Sequence, residues 1–500
     1  MKNLQRACFL FLIVVHIFTS SWFVRHNDLL MTPDIARDFY ILDEIRTKGL
    51  ILIGPRASGN MYHGPLWAYI NFPAFAAGGG NPIVVGWFWV ALTALVLVGY
   101  FVIAKKLFHE FAAWCFVLMS SLYFNYHTYQ LLHPAGALFA MPFAFFFLYQ
   151  YTQTHRIRSL ICHVLIAGAI VQFEIAVGVP FLIISGVYVL RTIVRTKRYG
   201  HILVYGVLVI SLSTWALFDI RHGFIMSKAA LRQLGQADTV SLLALIQNRL
   251  DVMTTGIEFL RYGIPYGSAY TFYIFLAFLL WAIKTDIRYR EKYLLFLYLY
   301  VSYFAIGLLN RFRLLPFYVY PVFAFVFLFF SSLVTYANKK INYAFFAFFL
   351  LIYITNAVGV LQSIRTWSTD FVGKSPYSWN ALSEVARTVY DQTDQQFGYF
   401  VFSPDVMAYE PRFAMEYWKR TLSKSNAVVF EKKPVIYVII APRNDTYMTH
   451  DWIKMKLNIV SEPVRTWGFP NGYSVDKYAL TPEEVAAPFD PGINPGLFYR

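Results

Sequence analysis

The sequence predicts an all-α polytopic membrane bundle of about eleven transmembrane helices, followed by a small extracytoplasmic α/β domain at the C-terminus. Three observations support this class. Of the 500 residues, 58% are hydrophobic and only 14% are charged, whereas a soluble protein carries about 25% charged residues. The apolar residues come in runs of about 20, the length that crosses a bilayer as a helix. Short basic clusters separate many of these runs.

The apolar runs define the predicted membrane spans. We predict two spans around position 174, because a single span would place the next basic cluster on the opposite side of the membrane. The predicted spans are residues 7–25, 82–104, 111–129, 135–152, 160–173, 175–192, 201–219, 268–284, 293–310, 315–335 and 341–361.

The net charge of +15 indicates topology. Positive charge also suits nucleic-acid binding, but here the basic residues gather between apolar runs, where short basic loops mark the cytoplasmic side. With a cytoplasmic N-terminus every cluster falls on that side, which predicts a multi-pass protein of the cell (inner) membrane and no nucleic-acid partner. The clusters are Lys105/Lys106, Arg156/Arg158, Arg191/Arg195/Lys197/Arg198, Lys284/Arg288/Arg290/Lys292 and Lys339/Lys340.

Cysteine usage excludes one kind of site and disfavours another. Cys8, Cys115 and Cys162 each lie in or beside an apolar run, and the predicted outer segments contain none. This excludes a disulfide framework in those segments, and no spacing typical of a thiolate metal site occurs. Residues 1–24 lack a small-residue cleavage pattern, so we expect an uncleaved first span.

Two domains are expected: a membrane module over 1–361 and an extracytoplasmic domain over 362–500. The outer loops of the membrane module are 26–81 and 220–267. Within the second loop, the apolar residues of 241–260 recur at helical spacing, which predicts a helix lying in the membrane interface.

The C-terminal segment has the composition of a soluble domain. Leu382–Asp391 predicts a helix, 434–442 a buried strand and 472–480 a terminal strand. Together these elements predict a small α/β domain.

A pair of carboxylates opens the first outer loop. Thr32 is a good N-cap and Gly49 a good terminator, which predicts a helix between them. On that helix Asp34 and Asp38 lie one turn apart on one face, with Arg37 adjacent. Such a pair can act as a base or hold a divalent cation, Mg²⁺ or Mn²⁺. The alternative is a solvated amphipathic helix.

Other polar residues lie near the predicted membrane edges. His63 precedes a Gly-Pro turn, and Arg56 lies in a glycine-containing loop. Glu174 lies between two spans, where an acid is expected to be paired or water-facing. For His63 and Arg56, a role in binding an anion and a purely structural role both remain open. For Glu174, structural pairing and a functional role both remain open.

Several cations lie on the side that the positive-inside rule disfavours. Arg221 and His222 follow the seventh span, and Arg311 and Arg313 follow the ninth. Arginine suits bidentate phosphate binding, so their retention indicates a lipid-phosphate ligand. Anchoring to lipid headgroups is the alternative.

These motifs together resemble the GT-C superfamily of membrane glycosyltransferases, and within it the bacterial relatives of the protein O-mannosyltransferase and aminoarabinose transferase families (glycosyltransferase family 39-like). The family motif Asp-x-x-Arg-Asp in the first outer loop is matched by Asp34, Arg37 and Asp38. A basic residue before a small residue and then Pro-Leu-aromatic is matched at positions 63–67. The likeness covers 1–360, and Ile35 replaces the acid that follows the first Asp in many relatives.

The resemblance implies an inverting hexosyl- or pentosyltransferase that uses a polyprenyl-phosphate sugar donor and a lipid, glycan or protein acceptor. It implies that Asp34 is the catalytic acid/base and that Asp38 positions the substrate or a metal. The residues implied in binding the substrate or its phosphate are Arg37, Arg56, His63, Arg221, His222, Arg311 and Arg313.

Two other functions remain open at this point. A transporter or flippase of a lipid-linked saccharide would place its polar site near the bilayer midplane, often between repeated halves. Here the polar candidates lie at the outer edge and no repeat is visible, which favours the enzyme. A non-catalytic scaffold would be indifferent to loss of the Asp34 carboxylate.

Overall fold

The computed structural model of the protein describes residues 2–57, 61–125, 127–235, 241–255, 267–308, 320–335, 339–403, 407–424, 426–442 and 447–493. Helices dominate, and a small sheet lies in the C-terminal part. This agrees with the predicted class of a helical bundle with a C-terminal α/β domain.

The N-terminal part contains the first outer loop between apolar helices. Asn81 starts the longest of these helices, because its side chain accepts a hydrogen bond of 2.9 Å from the Ile83 N–H and Pro82 occupies the first position. The helices here are α1 (Lys2–Ser20), α2 (Trp22–Arg25), α3 (Pro33–Lys48), α4 (Leu66–Ala77), α5 (Pro82–Leu107) and α6 (Glu110–Phe124).

The remaining membrane part contains ten helices among the described residues. A 3₁₀ segment, Tyr199–Val207, precedes the fourth of them. The helices are α7 (Pro134–Thr154), α8 (Ile157–Phe173), α9 (Ile175–Thr196), α10 (Leu208–Arg221), α11 (Ile225–Gly235), α12 (Leu242–Thr255), α13 (Gly267–Thr285), α14 (Arg290–Gly307), α15 (Tyr320–Ser332) and α16 (Lys339–Thr366).

Five helical segments in the described part of the chain are long and apolar enough to cross a membrane: Pro82–Leu107, Pro134–Thr154, Ile175–Thr196, Tyr199–Arg221 and Lys340–Phe371. Shorter apolar helices accompany them. The chain is therefore a multi-pass membrane protein. The count of about eleven spans stays a prediction.

Helix boundaries follow the local sequence. Glu174 ends α8 and caps α9, because its carboxylate accepts the Ala176 N–H at 3.1 Å. Two helices therefore occupy this region. α16 runs past the expected domain boundary at 361, because no proline interrupts it before Thr366. α12 is the described part of the helix predicted over 241–260, its place in the membrane interface stays a prediction, and residues 256–266 lie outside the described part.

The C-terminal sheet has the strand order β2-β1-β3-β5-β4. Its strands are β1 (Phe397–Phe402), β2 (Ala427–Val429), β3 (Val435–Ile440), β4 (Arg465–Gly468) and β5 (Ser474–Ala479). β1 pairs in parallel with β2 and β3, and β5 pairs antiparallel with β3 and β4. The accompanying helices are α17 (Trp379–Asp391), α18 (Tyr409–Thr421), α19 (Tyr447–Lys456) and α20 (Pro482–Ala486).

The C-terminal part packs directly on α3. Phe39 and Phe413 are both buried, with ring centroids 5.5 Å apart. Nearby, Arg420 of α18 forms an ion pair of 3.0 Å with Asp43 of α3. The helix that carries the candidate acid pair is thus packed against α18 of the C-terminal part.

Candidate active site

The two candidate carboxylates of helix α3 differ in their exposure to solvent. Thr32 caps the helix by accepting the Ile35 N–H, as the sequence predicts, and Gly49 ends it with a φ of 83°. Asp34 lies in the first turn and its side chain is 65% exposed, whereas the side chain of Asp38, one turn later, is 0% exposed. Only the first of the two is open to an incoming substrate.

Arg37 links the two carboxylates. Its Nη1 lies 2.9 Å from an Asp34 oxygen, and its Nη2 lies 3.4 Å from an Asp38 oxygen. The same Nη1 donates to the Arg56 backbone carbonyl at 3.4 Å. The planar guanidinium supplies the positive charge between the two acids and fixes their relative orientation.

The buried carboxylate is held from its other side by a histidine. The Nδ1 of His133, at the start of α7, lies 3.0 Å from the second oxygen of Asp38. Asp38 therefore joins the helix of the outer loop to a membrane helix. A buried carboxylate with a cation on one side and an imidazole on the other is paired, as burial of a charge requires.

Backbone hydrogen bonds fix the position of His63. Its carbonyl accepts the Gly54 N–H at 2.8 Å and the Trp215 indole N–H at 3.2 Å, and its own N–H donates to Pro55 at 2.9 Å. Gly64 then donates to the Gln172 carbonyl at 2.9 Å. The loop is thereby clamped against the end of α8.

The ring of His63 stacks obliquely on that of His133, with centroids 4.2 Å apart. Its Nδ1 is buried and has no hydrogen-bond partner among the described residues. Burial, then the neighbouring His133 and Arg37, lowers the pKa of His63 well below its usual value. The imidazole is therefore neutral at physiological pH.

Glu174 completes the buried cluster from the turn between α8 and α9. One carboxylate oxygen accepts the Ala176 N–H, and the other, Oε2, is buried with no partner in the described part of the chain. Burial raises the pKa of Glu174 to about 7, against the opposing effects of His133 and of the Ala176 hydrogen bond. One ligand atom each from His63, His133 and Glu174 lies within 4.8 Å of the others.

An apolar cavity of about 270 Å³ lies among α4, α5, α7 and α8. Three of its lining residues lie close in sequence to the cluster: Trp67 is four residues after His63, Gly136 is three residues after His133, and Phe173 directly precedes Glu174. The polar cluster therefore adjoins a space suited to a hydrocarbon chain.

The structure brings together Asp34, Arg37, Asp38 and His63 of the predicted site residues. Arg56 lies beside them through its backbone, with an exposed side chain.

Two other predicted site residues make no recorded contact with this cluster in the described structure. Arg221 and His222 are exposed at the end of α10, and the neighbouring Asp219 has a structural role in which it accepts backbone N–H groups of α11. Arg311 and Arg313 lie outside the described residues.

Sequence reasoning missed His133 and left Glu174 unassigned. His133 directly precedes Pro134, and a proline in this position is typical of the first residue of a helix. The sequence therefore contained a signal that places His133 at the N-terminus of α7. Its contact with Asp38 spans 95 residues, and neither spacing nor periodicity reports a contact of that range.

No family model and no curated protein sequence matches the chain. Solved structures do. ArnT from Cupriavidus metallidurans bound to undecaprenyl phosphate matches with a TM-score of 0.61 at 13% identity, over 95% of this chain and 98% of that one. ArnT in the apo state matches with a TM-score of 0.60 at the same identity and coverage.

The Archaeoglobus fulgidus oligosaccharyltransferase in complex with Zn and sulfate matches with a TM-score of 0.45 at 13% identity, over 86% of this chain and 67% of that one. ArnT and this enzyme are GT-C superfamily glycosyltransferases. The match to ArnT shows that the chain has an ArnT-like fold. The resemblance inferred from the sequence motifs is confirmed at the level of the fold.

Proposed function

We propose that the protein is an integral membrane glycosyltransferase that moves a sugar from a polyprenyl-phosphate donor to an acceptor on the extracytoplasmic face. One observation carries the proposal: an exposed carboxylate, Asp34, is bound through Arg37 to a buried carboxylate, Asp38, on an ArnT-like fold. Such an arrangement keeps one acid accessible and its orientation fixed. ArnT, the structural neighbour, binds undecaprenyl phosphate.

The step is a single displacement. The acceptor hydroxyl oxygen attacks C1 of the sugar while the bond from C1 to the phosphate oxygen breaks. The departing polyprenyl phosphate keeps that electron pair, and Asp34 takes the hydroxyl proton as general base. One displacement at C1 inverts its configuration. Asp38 acts as a positioning residue, because it holds Arg37 and His133 and is itself shielded from solvent.

The lipid tail of the donor fits the apolar cavity beside the cluster. Its walls are aromatic and aliphatic, among them Trp67, Trp89 and Phe139. A tail bound there places its phosphate at the membrane edge, close to the cluster of α3, α7 and α8. Hydrophobic contact then supplies affinity, and the polar groups supply orientation.

Neutralising the leaving phosphate is the main electrostatic task of such a site. Arg56 is a predicted cation beside the acid pair, since its backbone carbonyl accepts a hydrogen bond from Arg37 and its side chain is exposed. The further candidates for this contact remain Arg221, His222, Arg311 and Arg313.

The C-terminal domain contributes to the acceptor side. A cavity of about 210 Å³ lies between α3 and the C-terminal part, lined by Tyr40, Asp43 and Glu44 from α3 and by Tyr399 and Arg412 from the C-terminal part. An acceptor bound near this junction lies along the same helix as Asp34.

The test is mass spectrometry of cell-envelope glycans, glycolipids and glycoproteins with and without the gene. We expect one sugar to disappear from one acceptor class, to return with the wild-type chain, and not to return with Asp34→Asn. The matched control is Asp391→Asn, an exposed acid of α17, which should restore the sugar. Restoration of the sugar by Asp34→Asn would overturn the proposal and indicate a scaffold. A strain without the gene that loses translocation of the donor but keeps sugar transfer would also overturn it and would indicate a flippase.

A further inference from the structure

We propose that His63, His133 and Glu174 form a binding site for a transition-metal ion, with Zn²⁺ the metal whose preferences they match best. The three side chains come from different parts of the chain: the first outer loop, the start of α7 and the turn between α8 and α9. All three are buried, and one ligand atom of each lies within 4.8 Å of the others.

The residue types define the class of metal. Two imidazoles with one carboxylate are a common zinc ligand set that leaves a coordination position open. Mg²⁺ and Mn²⁺ favour sites made mainly of oxygen atoms, so a site with two nitrogen ligands selects against them. The sequence alone points to Asp34 and Asp38 as cation ligands, whereas this trio has different chemistry and a different location.

Two buried atoms of this trio lack hydrogen-bond partners within the described residues: Nδ1 of His63 and Oε2 of Glu174. A buried polar atom without a partner destabilises the fold. A metal ion bound between these residues satisfies both atoms at once. This observation is independent of the clustering itself and indicates a ligand.

The surroundings of His133 match those of a metal ligand. Its Nδ1 is engaged by Asp38 at 3.0 Å, which leaves Nε2 available to a metal. Histidines that bind metals generally give their other ring N–H to a carboxylate or a carbonyl, which fixes the ring and raises its basicity. Asp38 would be that partner here, and Arg37 would extend the connection to Asp34.

The arrangement of charge also argues against a cation between Asp34 and Asp38. The Arg37 guanidinium already lies between them, with nitrogens 2.9 and 3.4 Å from the two carboxylates. A cation at that point would displace it. The trio of His63, His133 and Glu174 contains no such internal cation.

Binding requires a modest contraction of the trio. Ligand atoms around tetrahedral zinc lie about 3.3 Å apart, so the side chains close by up to about 1.5 Å. We expect rotation of the Glu174 carboxylate and of the two rings to provide this movement without a shift of the helices. The backbone of His63 stays clamped by its hydrogen bonds to Gly54 and Pro55.

The role of the ion rests on the proposed function, whereas its binding does not. The open coordination position would accept a water molecule or an oxygen of the donor phosphate. A metal there would add positive charge near the leaving group and would tie donor binding to the Asp38–Arg37–Asp34 chain.

The test uses the full-length protein in detergent, stripped with a chelator and then dialysed against Zn²⁺ or Co²⁺ alone. We expect one metal ion per chain by elemental mass spectrometry, and a visible absorption band for bound Co²⁺. His63→Ala, His133→Ala and Glu174→Gln should reduce binding to background. The matched control is His163→Ala: this buried histidine of α8 also has an unpartnered ring nitrogen in the described structure, but it lies outside the trio.

A second variant separates a metal site from a folding defect. Asp38→Asn keeps all three ligands and should weaken Zn²⁺ binding by about 10–100-fold without abolishing it. No stoichiometric metal in the wild type, or unchanged binding in His63→Ala and Glu174→Gln, would overturn the proposal. Metal binding without sugar transfer would leave the site standing and refute the glycosyltransferase. Transfer by a metal-free protein would leave the glycosyltransferase standing and refute the role of the ion in transfer.

Discussion

The Asp28 carboxylate accepts a hydrogen bond of 2.6 Å from the Ser378 hydroxyl, a residue 350 positions further along the chain. The same carboxylate accepts backbone N–H groups from Leu29, Gly373 and Asn380. It is fully buried. The segment that leads into α3 and the start of the C-terminal domain are therefore one structural unit, and the orientation of the acid pair depends on both.

Asp28→Ala should weaken the contact between the segment that leads into α3 and the start of the C-terminal domain, called here the junction. Removing the carboxylate leaves several buried donors unpaired, which costs about 3 kcal/mol in the free energy of unfolding. The measurement is thermal unfolding in detergent, followed by intrinsic tryptophan fluorescence, together with the rate of limited proteolysis. Asp28→Asn keeps one acceptor oxygen and should lose less. Equal stability of Asp28→Ala and wild type would contradict this account of the junction.

Arg37→Lys should impair transfer although charge is conserved. An ammonium group cannot contact both Asp34 and Asp38 as the planar guanidinium does. We expect kcat to fall about 100-fold, measured with purified protein once donor and acceptor are known. The control is Arg46→Lys, on the same helix and paired with Asp43, which should change kcat by no more than about 2-fold. Similar losses of kcat in the two variants would show that the contacts of Arg37 with Asp34 and Asp38 have no special role in transfer.

Gly64→Ala should disturb the position of His63. An added Cβ would overlap the Gln172 side chain and lie 3.0 Å from its Cα atom. The loop must then move away from α8, with a loss of about 1–3 kcal/mol in stability and a matching loss of transfer. Gly200→Ala is the control, because nothing lies within 4 Å of its added Cβ. Thermal unfolding and transfer assays on both variants distinguish a local clash from a general effect of alanine.

The ion pair between Asp43 and Arg420 should stabilise the docking of the C-terminal domain on α3. Both side chains are largely shielded from water and their charged atoms lie 3.0 Å apart. A double-mutant cycle with Asp43→Asn and Arg420→Gln should give a coupling free energy of about 1–2 kcal/mol. The exposed pair Arg387–Asp391, at 3.6 Å, should give at most about 0.5 kcal/mol in the same measurement. Equal couplings would show that the docking does not depend on this contact.

Local signals in the sequence were sufficient for α3. The Thr32 cap and the Gly49 terminator predict its two ends, and the spacing of Asp34 and Asp38 predicts that they share a face. These predictions succeed because capping and periodicity act within a few residues. The start of α17 was placed too late, since the cap is Ser378 and the helix begins at Trp379.

The buried cluster could not be predicted in the same way. His63, His133 and Glu174 are separated by tens of residues, and no local sequence pattern connects them. Their proximity arises from the packing of the outer loop against α7 and α8, a tertiary contact without local periodicity. The unequal exposure of Asp34 and Asp38 likewise follows from His133 lying against only one of them.

The contact between Asp28 and Ser378 has a consequence for biosynthesis. At about 5–20 residues per second, a ribosome needs about 20–70 s to make the 350 residues that separate them. During this interval the Asp28 carboxylate has only water and its own neighbours to bind. The nascent first loop therefore cannot make this contact until Ser378 has been synthesised. A ribosome that stalls just before that point leaves the membrane helices made but the contact between the first loop and the C-terminal domain unformed.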